Sequence, residues 1–190
     1  MIITPCVLPE VLLIQPKTFQ DERGWFTESF RLDLLEKVVG HALPFCQDNQ
    51  ASSSYGVIRG LHYQMPPFAQ SKLVSVIQGN ILDVVVDIRK GSPHFGEHMV
   101  IELSSENQKQ LFIPRGFAHG YACWSETALL TYKVDSYYNR AVEASIAFDD
   151  PQLNIDWHIP AEKQILSCKD REYSAFEAAK YFDYNQSLYD

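Results

Sequence analysis

Apolar residues fall in short blocks along most of this chain, many of them alternating with polar ones and bounded by Gly, Pro, Asn or Ser. Val11–Gln15, Trp25–Phe30, Phe45–Ala51, Val57–Gln64, Lys72–Gln78, Ile81–Ile88, His98–Leu103, Gln110–Ile113, His119–Trp124, Leu129–Tyr137 and Ala144–Phe148 all read as strands. Their spacing of roughly ten residues, with turn residues between, predicts an all-β sandwich or barrel. Gly79-Asn80 separates two strongly apolar strands and predicts a tight hairpin, because both residues tolerate positive φ. Helical spacing is scarce. Leu32, Leu35, Val38 and Val39 line one side of a predicted helix over Arg31–Val39, with Gly40 ending it. A second helix is predicted over Ser174–Phe182, where Ser174 and Glu177 fit a capping box.

Repeats, low-complexity tracts and linkers are absent, so the chain reads as one domain over residues 1–190. Hydrophobic residues at 46% and charged residues at 21% exclude disorder as the main state. Lys plus Arg number 16 against 24 Asp plus Glu, a net charge of −8 that disfavours nucleic-acid binding. It does not exclude a small anion in a local basic pocket. No apolar run approaches the roughly 20 residues of a membrane helix. Met1-Ile2-Ile3-Thr4-Pro5 lacks the marks of a signal peptide. Cys6, Cys46, Cys123 and Cys168 form no CxxC pair and read as reduced thiols, so a cytoplasmic location is expected.

Chemistry concentrates in a few motifs. Pro114, Gly116 and His119 form PxGxxH, which resembles the second motif of the cupin superfamily. Gly56, five residues and His62 match the opening of the first cupin motif, but Gln64 stands where that motif has a second His. Two neutral imidazoles rarely hold a catalytic metal, so a metal centre is not expected. Taken alone, His62 reads more readily as a hydrogen-bonded core histidine.

Four motifs change that reading: Asp21-x-Arg23-Gly24-x-Phe26, Arg59-Gly60-Leu61-His62-Tyr63-Gln64, Ile113-Pro114-x-Gly116-Phe117-Ala118-His119-Gly120, and Ser167-x-Lys169-Asp170. In order and spacing, from about Pro5 to Asp170, they resemble the dTDP-4-dehydrorhamnose 3,5-epimerase family. The resemblance implies a cupin-type jelly roll with a few short peripheral helices and a metal-independent, cofactor-free enzyme. It also implies a dTDP-linked 4-keto-6-deoxy sugar as substrate, inverted at carbons 3 and 5 beside the ketone. Such chemistry needs a base, a stabiliser for the enolate oxygen and an acid on the opposite face.

The resemblance assigns those roles to His62 as base, Asp170 as its paired carboxylate, Lys72 on the enolate oxygen and Tyr132 as acid. Tyr132, Val134, Ser136 and Tyr138 would share one strand face, bringing Tyr138 to Tyr132, and the family stacks thymine at that position. Arg23, Phe26, Glu28, Gln47, Asn49, Arg59, His119, Glu143 and Lys169 match substrate-binding positions. Gln47 and Asn49, two apart, can face one pocket. A homodimer is implied, with Arg23 and Glu28 supplied across its interface.

Arg59 and His62 lie three apart, so a regular strand would turn them to opposite faces unless Gly60 breaks it. Asp83 is a candidate hydrogen-bond partner for His119. Ile58, Arg115 and Cys168 depart from the usual pattern, and Arg115 stands where an acidic residue is frequent. Other readings are a 3- or 5-mono-epimerase on a related nucleotide sugar, a catalytically silent sugar-binding cupin, and a metal-dependent cupin, against which Gln64 argues.

Overall fold

The computed structural model describes residues 1–189. Its strands are β1 (Ile2–Pro5), β2 (Leu12–Gln15), β3 (Thr18–Asp21), β4 (Gly24–Thr27), β5 (Gln47–Ser54), β6 (Ile58–Gln64), β7 (Lys72–Gln78), β8 (Asn80–Asp87), β9 (Arg89–Lys90), β10 (His98–Ser104), β11 (Gln110–Ile113), β12 (Phe117–Cys123), β13 (Thr127–Val134), β14 (Glu143–Ser145) and β15 (Phe182–Asp183), with one helix, α1 (Leu32–Val39). One sheet runs β1-β2-β11-β7-β13-β5 and the other β10-β8-β12-β6-β14, both antiparallel. From β5 to β8 and from β10 to β13, successive strands alternate between the sheets, which makes the expected jelly roll. No helix among the described residues is long and apolar enough to cross a membrane.

Three apolar clusters hold the layers together. Val74, Val76, Leu111, Ile113 and Leu130 of the first sheet meet Ile81, Val85, Leu103, Phe117 and Tyr121 of the second, forming the core between them. The second sheet is buried on its other face too. There Leu61, Leu82, Val84 and Val86 pack under Leu153, Trp157, Phe176 and Phe182 of the C-terminal segment. That explains why β8 reads as a nearly unbroken apolar run. Leu35 of α1 packs with Leu12, Ile14, Leu73 and Phe112 on the outside of the first sheet. Gly40 caps α1 in the left-handed region at φ 81°, as its sequence predicts.

The structure departs from the sequence pattern at several points. Gly79 makes no hairpin: β7 and β8 lie in different sheets, and Gly79 (φ 75°) turns the chain from one to the other. A Cβ there would lie 2.2 Å from the Thr127 carbonyl oxygen. Ser174–Phe182 forms no α-helix, only one short turn at Phe176–Ala178 and the strand β15. Its backbone is engaged elsewhere. The Ser174 carbonyl accepts from Ala147 N–H at 2.9 Å, and Phe176 N–H donates to the Asp150 carboxylate at 2.7 Å. β13 stops at Val134, short of Tyr137, because Asp135 turns inward to bind Ser71. The exposed strands β1 and β3 escaped the pattern because they bury almost nothing.

The conflict between Arg59 and His62 resolves at a bulge. His62 pairs with His119 and Arg59 with Tyr121, so Gly60 and Leu61 together oppose Gly120. The extra residue restores Arg59 and His62 to one face. It fits only because both backbones are bare. A Cβ on Gly60 (φ 138°) would lie 2.5 Å from Gly120 Cα, and one on Gly120 would lie 2.7 Å from the Arg59 carbonyl oxygen. Gly60→Ala is therefore expected to lose roughly 2–6 kcal/mol through backbone strain plus overpacking. Gly24→Ala, at φ 123° but with open space around the new Cβ, bears the backbone share alone, about 1–3 kcal/mol. Thermal or urea unfolding of both variants checks the difference.

Candidate active site

One end of the space between the sheets is polar rather than apolar. The odd-numbered positions of β5 and β8 and the even-numbered positions of β7 and β13 point inward, as alternation requires. The strands thus bring Gln47, Asn49, Asp83, Lys72 and Tyr132 to the same interior that holds Val74, Val85 and Leu130. A cleft of about 290 Å³ opens there, lined by Gln47, Asn49, His62, Tyr63, Gln64, Gln70, Lys72, Tyr132, Tyr138 and Glu143. A larger hollow of about 480 Å³ beneath the C-terminal segment holds none of the proposed catalytic groups.

His62 and Asp170 meet as the sequence predicts, with Nε2 and Oδ1 2.8 Å apart. Nε2–H donates to the carboxylate, which leaves Nδ1 as the basic nitrogen. Ser167 Oγ donates to the other oxygen, Oδ2, at 2.5 Å and accepts from Asp170 N–H at 3.1 Å. This is the physical reason for the Ser167-x-Lys169-Asp170 spacing. Burial pushes the Asp170 carboxyl up, but the hydrogen bonds from His62 and Ser167 outweigh it and hold the group well below the usual carboxylate range. The carboxylate is thus a permanent charge at neutral pH.

Tyr173 is the residue the sequence reading missed. Its hydroxyl lies 2.7 Å from His62 Nε2, the ring stands edge-on to the imidazole, and it also bonds to Asp170. Burial and the Asp170 charge push its hydroxyl well above the usual tyrosine range, so it remains a donor. Its place three residues after Asp170 was the only available signal.

Lys72 opens β7 and donates to the His62 carbonyl oxygen at 3.3 Å. Burial pushes its ammonium pKa down to about 8, partly offset by the Asp83 and Glu143 carboxylates. Asp83 is wholly buried, and both of its oxygens lie within 3.0 Å of His119 Nε2. The expected Asp83–His119 pair therefore forms. It sits behind the cleft wall, so His119 supports the site from within and does not line it. Burial pushes the His119 pKa down against the pull of Asp83, which favours a neutral ring donating Nε2–H.

Tyr132 projects from the opposite sheet. Burial raises its hydroxyl pKa, while the Arg59 charge pulls it down. Arg59 itself donates to Ser53 Oγ at 3.3 Å and to the Ser52 carbonyl oxygen at 3.2 Å. Gln47 and Asn49 share the cleft as expected, joined by a 2.8 Å hydrogen bond. Tyr138 reaches the cleft from a loop instead of from β13. Its N–H donates to Gln47 Oε1 and its hydroxyl to Glu143 Oε2 at 2.9 Å. Lys169 also binds Glu143 Oε2, so Tyr138, Glu143 and Lys169 form one rim.

Gln64 is a fastener for the surrounding loops. Its amide donates to the Phe68 and Tyr137 carbonyls, and its oxygen accepts from Asn139 N–H at 2.6 Å. Among the described residues, no three His, Cys, Asp or Glu side chains form a metal-holding group. Arg23, Phe26 and Glu28 do not reach the cleft within one chain. They lie on or just past the β3–β4 hairpin, where Arg23 pairs with Asp21 and Phe26 is 69% exposed.

Comparison with known proteins identifies the family. The family model described as dTDP-4-dehydrorhamnose 3,5-epimerase matches residues 5–178. The chain is 46% identical over 175 residues to the protein of that name from Shigella flexneri, covering 92% of this chain and 96% of the relative. Among solved structures, the dTDP-4-dehydrorhamnose 3,5-epimerase of Elizabethkingia anophelis superposes with a TM-score of 0.90 at 46% identity, covering 93% of this chain and 97% of the other. The dTDP-6-deoxy-D-glucose-3,5-epimerase of Legionella pneumophila, solved in complex with dTDP-4-keto-L-rhamnose, gives 0.92 at 43% identity, covering 97% and 98%. A jelly roll with paired His62 and Asp170, matched across nearly its whole length, belongs to the dTDP-4-dehydrorhamnose 3,5-epimerase family.

Proposed function

We propose that this protein inverts carbons 3 and 5 of dTDP-4-dehydro-6-deoxy-D-glucose to give dTDP-4-dehydro-L-rhamnose. The observation that carries the reading is the opposition of His62 and Tyr132 across one cleft, on strands of different sheets, with Lys72 among its lining residues. A carbon–hydrogen bond beside a ketone is acidic because the departing pair delocalises onto oxygen. His62 Nδ1 takes that proton, and Asp170 stabilises the imidazolium that results. The Lys72 ammonium meets the growing negative charge on the enolate oxygen. Tyr132 returns a proton from the opposite face, which inverts the centre. Repetition at the second carbon completes the reaction with no net change of oxidation state and no cofactor.

Tyr138, Glu143, Lys169, Gln47, Asn49 and Arg59 are assigned to the nucleotide and its phosphates, where Arg and Lys supply the positive charge. Arg23, Phe26 and Glu28 are assigned to the site of a second copy. Trp25 and Phe26 are 62% and 69% exposed on the hairpin, which supports burial against a homodimer partner. The reading places the protein in the cytoplasm, where its four free cysteines stay reduced.

Incubation with dTDP-4-dehydro-6-deoxy-D-glucose in deuterated water tests the function. NMR is expected to show deuterium at both carbons and an L-rhamno product after reduction. Deuterium at one carbon means a mono-epimerase, and exchange at neither contradicts the reading. The pH profile tests Lys72. Its charged form, the active one, is lost as pH rises through about 8, so kcat/KM should fall on an alkaline limb near that value. Lys72→Met should lower kcat by about 10²–10³-fold and remove the limb. Sedimentation should give a dimer, and a fully active monomer would rule out the shared site.

A further inference from the structure

The family match ends at residue 178, yet the described chain continues to Tyr189 and turns back onto the fold. β15 anchors this segment by pairing in parallel with β9. Beyond it, the Tyr189 ring packs against His41, centroids 3.8 Å apart, and the Arg115 guanidinium lies 4.9 Å from its centre. These contacts account for burial of the ring. They do not account for what its hydroxyl does.

The Tyr189 hydroxyl closes a polar ring. It accepts from the Arg115 backbone N–H at 3.0 Å and shares a second hydrogen bond with Ser71 Oγ at 2.8 Å. Asp135 completes the circuit, accepting Ser71 N–H on Oδ1 at 2.6 Å and Arg115 Nε on Oδ2 at 3.1 Å. Ser71 and the Asp135 side chain are wholly buried, and Arg115 also donates to the Leu188 carbonyl. The membership of the ring matters. Ser71 immediately precedes β7, which begins at Lys72. Asp135 immediately follows β13, which carries Tyr132. Arg115 lies two residues before β12, which carries His119. Arg115 is also the residue whose basic side chain departs from the acidic one frequent at this position. Here that charge pairs with Asp135 and fastens the tail.

We propose that Tyr189 is a positioning residue: through Ser71 and Arg115, its hydroxyl fixes the start of β7 and so the place where Lys72 presents its ammonium group to the substrate's carbonyl oxygen. The inference rests on the enolate role assigned to Lys72 above. A phenyl ring at 189 keeps the stacking but leaves Arg115 N–H and Ser71 Oγ without their partner in a buried setting. The backbone at Ser71 then shifts to recover hydrogen bonds, and the next residue is Lys72. Displacements of about 1 Å at a reacting group can cost about 10²-fold in rate, so a partial shift suffices.

Tyr189→Phe, Ser71→Ala and the double variant test this in the full-length protein. Tyr189→Phe is expected to lower kcat by about 5–20-fold, with KM within about two-fold of the parent. The double variant should be no worse than the poorer single one, because both remove one link. A second readout needs no turnover: NMR of lysines labelled at Cε follows the Lys72 titration, assigned by its loss in Lys72→Met. In Tyr189→Phe that midpoint should move up by about half a unit or more, as water reaches the loosened strand start. An unmoved midpoint, a kcat within about two-fold of the parent, or single effects that multiply in the double variant would overturn the proposal. Loss of the functional reading is distinguishable, since the parent protein would then fail the deuterium experiment while the Lys72 titration still decides the role of Tyr189.

Discussion

The site depends on one extra residue in β6. Gly60 and Leu61 oppose the single residue Gly120, and this bulge turns Arg59 and His62 to the same interior face. Without it, a regular strand would send one of them into the apolar layer under Trp157 and Phe176. Two glycines pressed together make the bulge possible, since neither position has room for a Cβ. The interior position of His62 then follows, and with it the approach of Asp170 from the C-terminal segment and the bond from Lys72 to the His62 carbonyl.

The same interior serves two opposed demands. At one end it is a packed hydrocarbon core of Val, Leu and Ile from both sheets. At the other it holds Asp83, His119, Lys72, His62 and Asp170 largely away from water. Buried ionisable groups are costly unless paired, and here the two histidines each pair with an aspartate, while Lys72 has only the His62 carbonyl oxygen. His119 binds Asp83, His62 binds Asp170, and Asp135 takes Ser71 and Arg115. Desolvation also pushes the Lys72 ammonium down to about 8, against the pull of the Asp83 and Glu143 carboxylates.

Much of this was legible in the residues. Strands such as Lys72–Gln78 and Gln110–Ile113 emerge with unchanged limits, because a half-buried strand must alternate and a core strand must be apolar. The pairing of His62 with Asp170 was readable only through the joint motifs, since 108 residues separate them. Three things were not legible. Gly79-Asn80 has hairpin chemistry, but whether a turn joins neighbours or crosses between sheets is decided by tertiary packing. Ser174 and Glu177 look like a capping box, yet the Asp150 carboxylate and the Ala147 backbone claim the groups a helix would use. Tyr173 and Tyr189 lie in a segment without periodicity, and their hydroxyls find their partners only once the chain has folded back.

The proposed base, His62, and the proposed acid, Tyr132, stand on opposite walls of one cleft. The most direct test is Tyr132→Phe incubated with dTDP-4-dehydro-6-deoxy-D-glucose in deuterated water, following exchange and configuration separately at each carbon. In this variant His62 is expected still to exchange hydrogen for deuterium beside the ketone while inversion falls at least about 10²-fold, so that label enters with retained configuration. Inversion that keeps pace with the parent enzyme would contradict it.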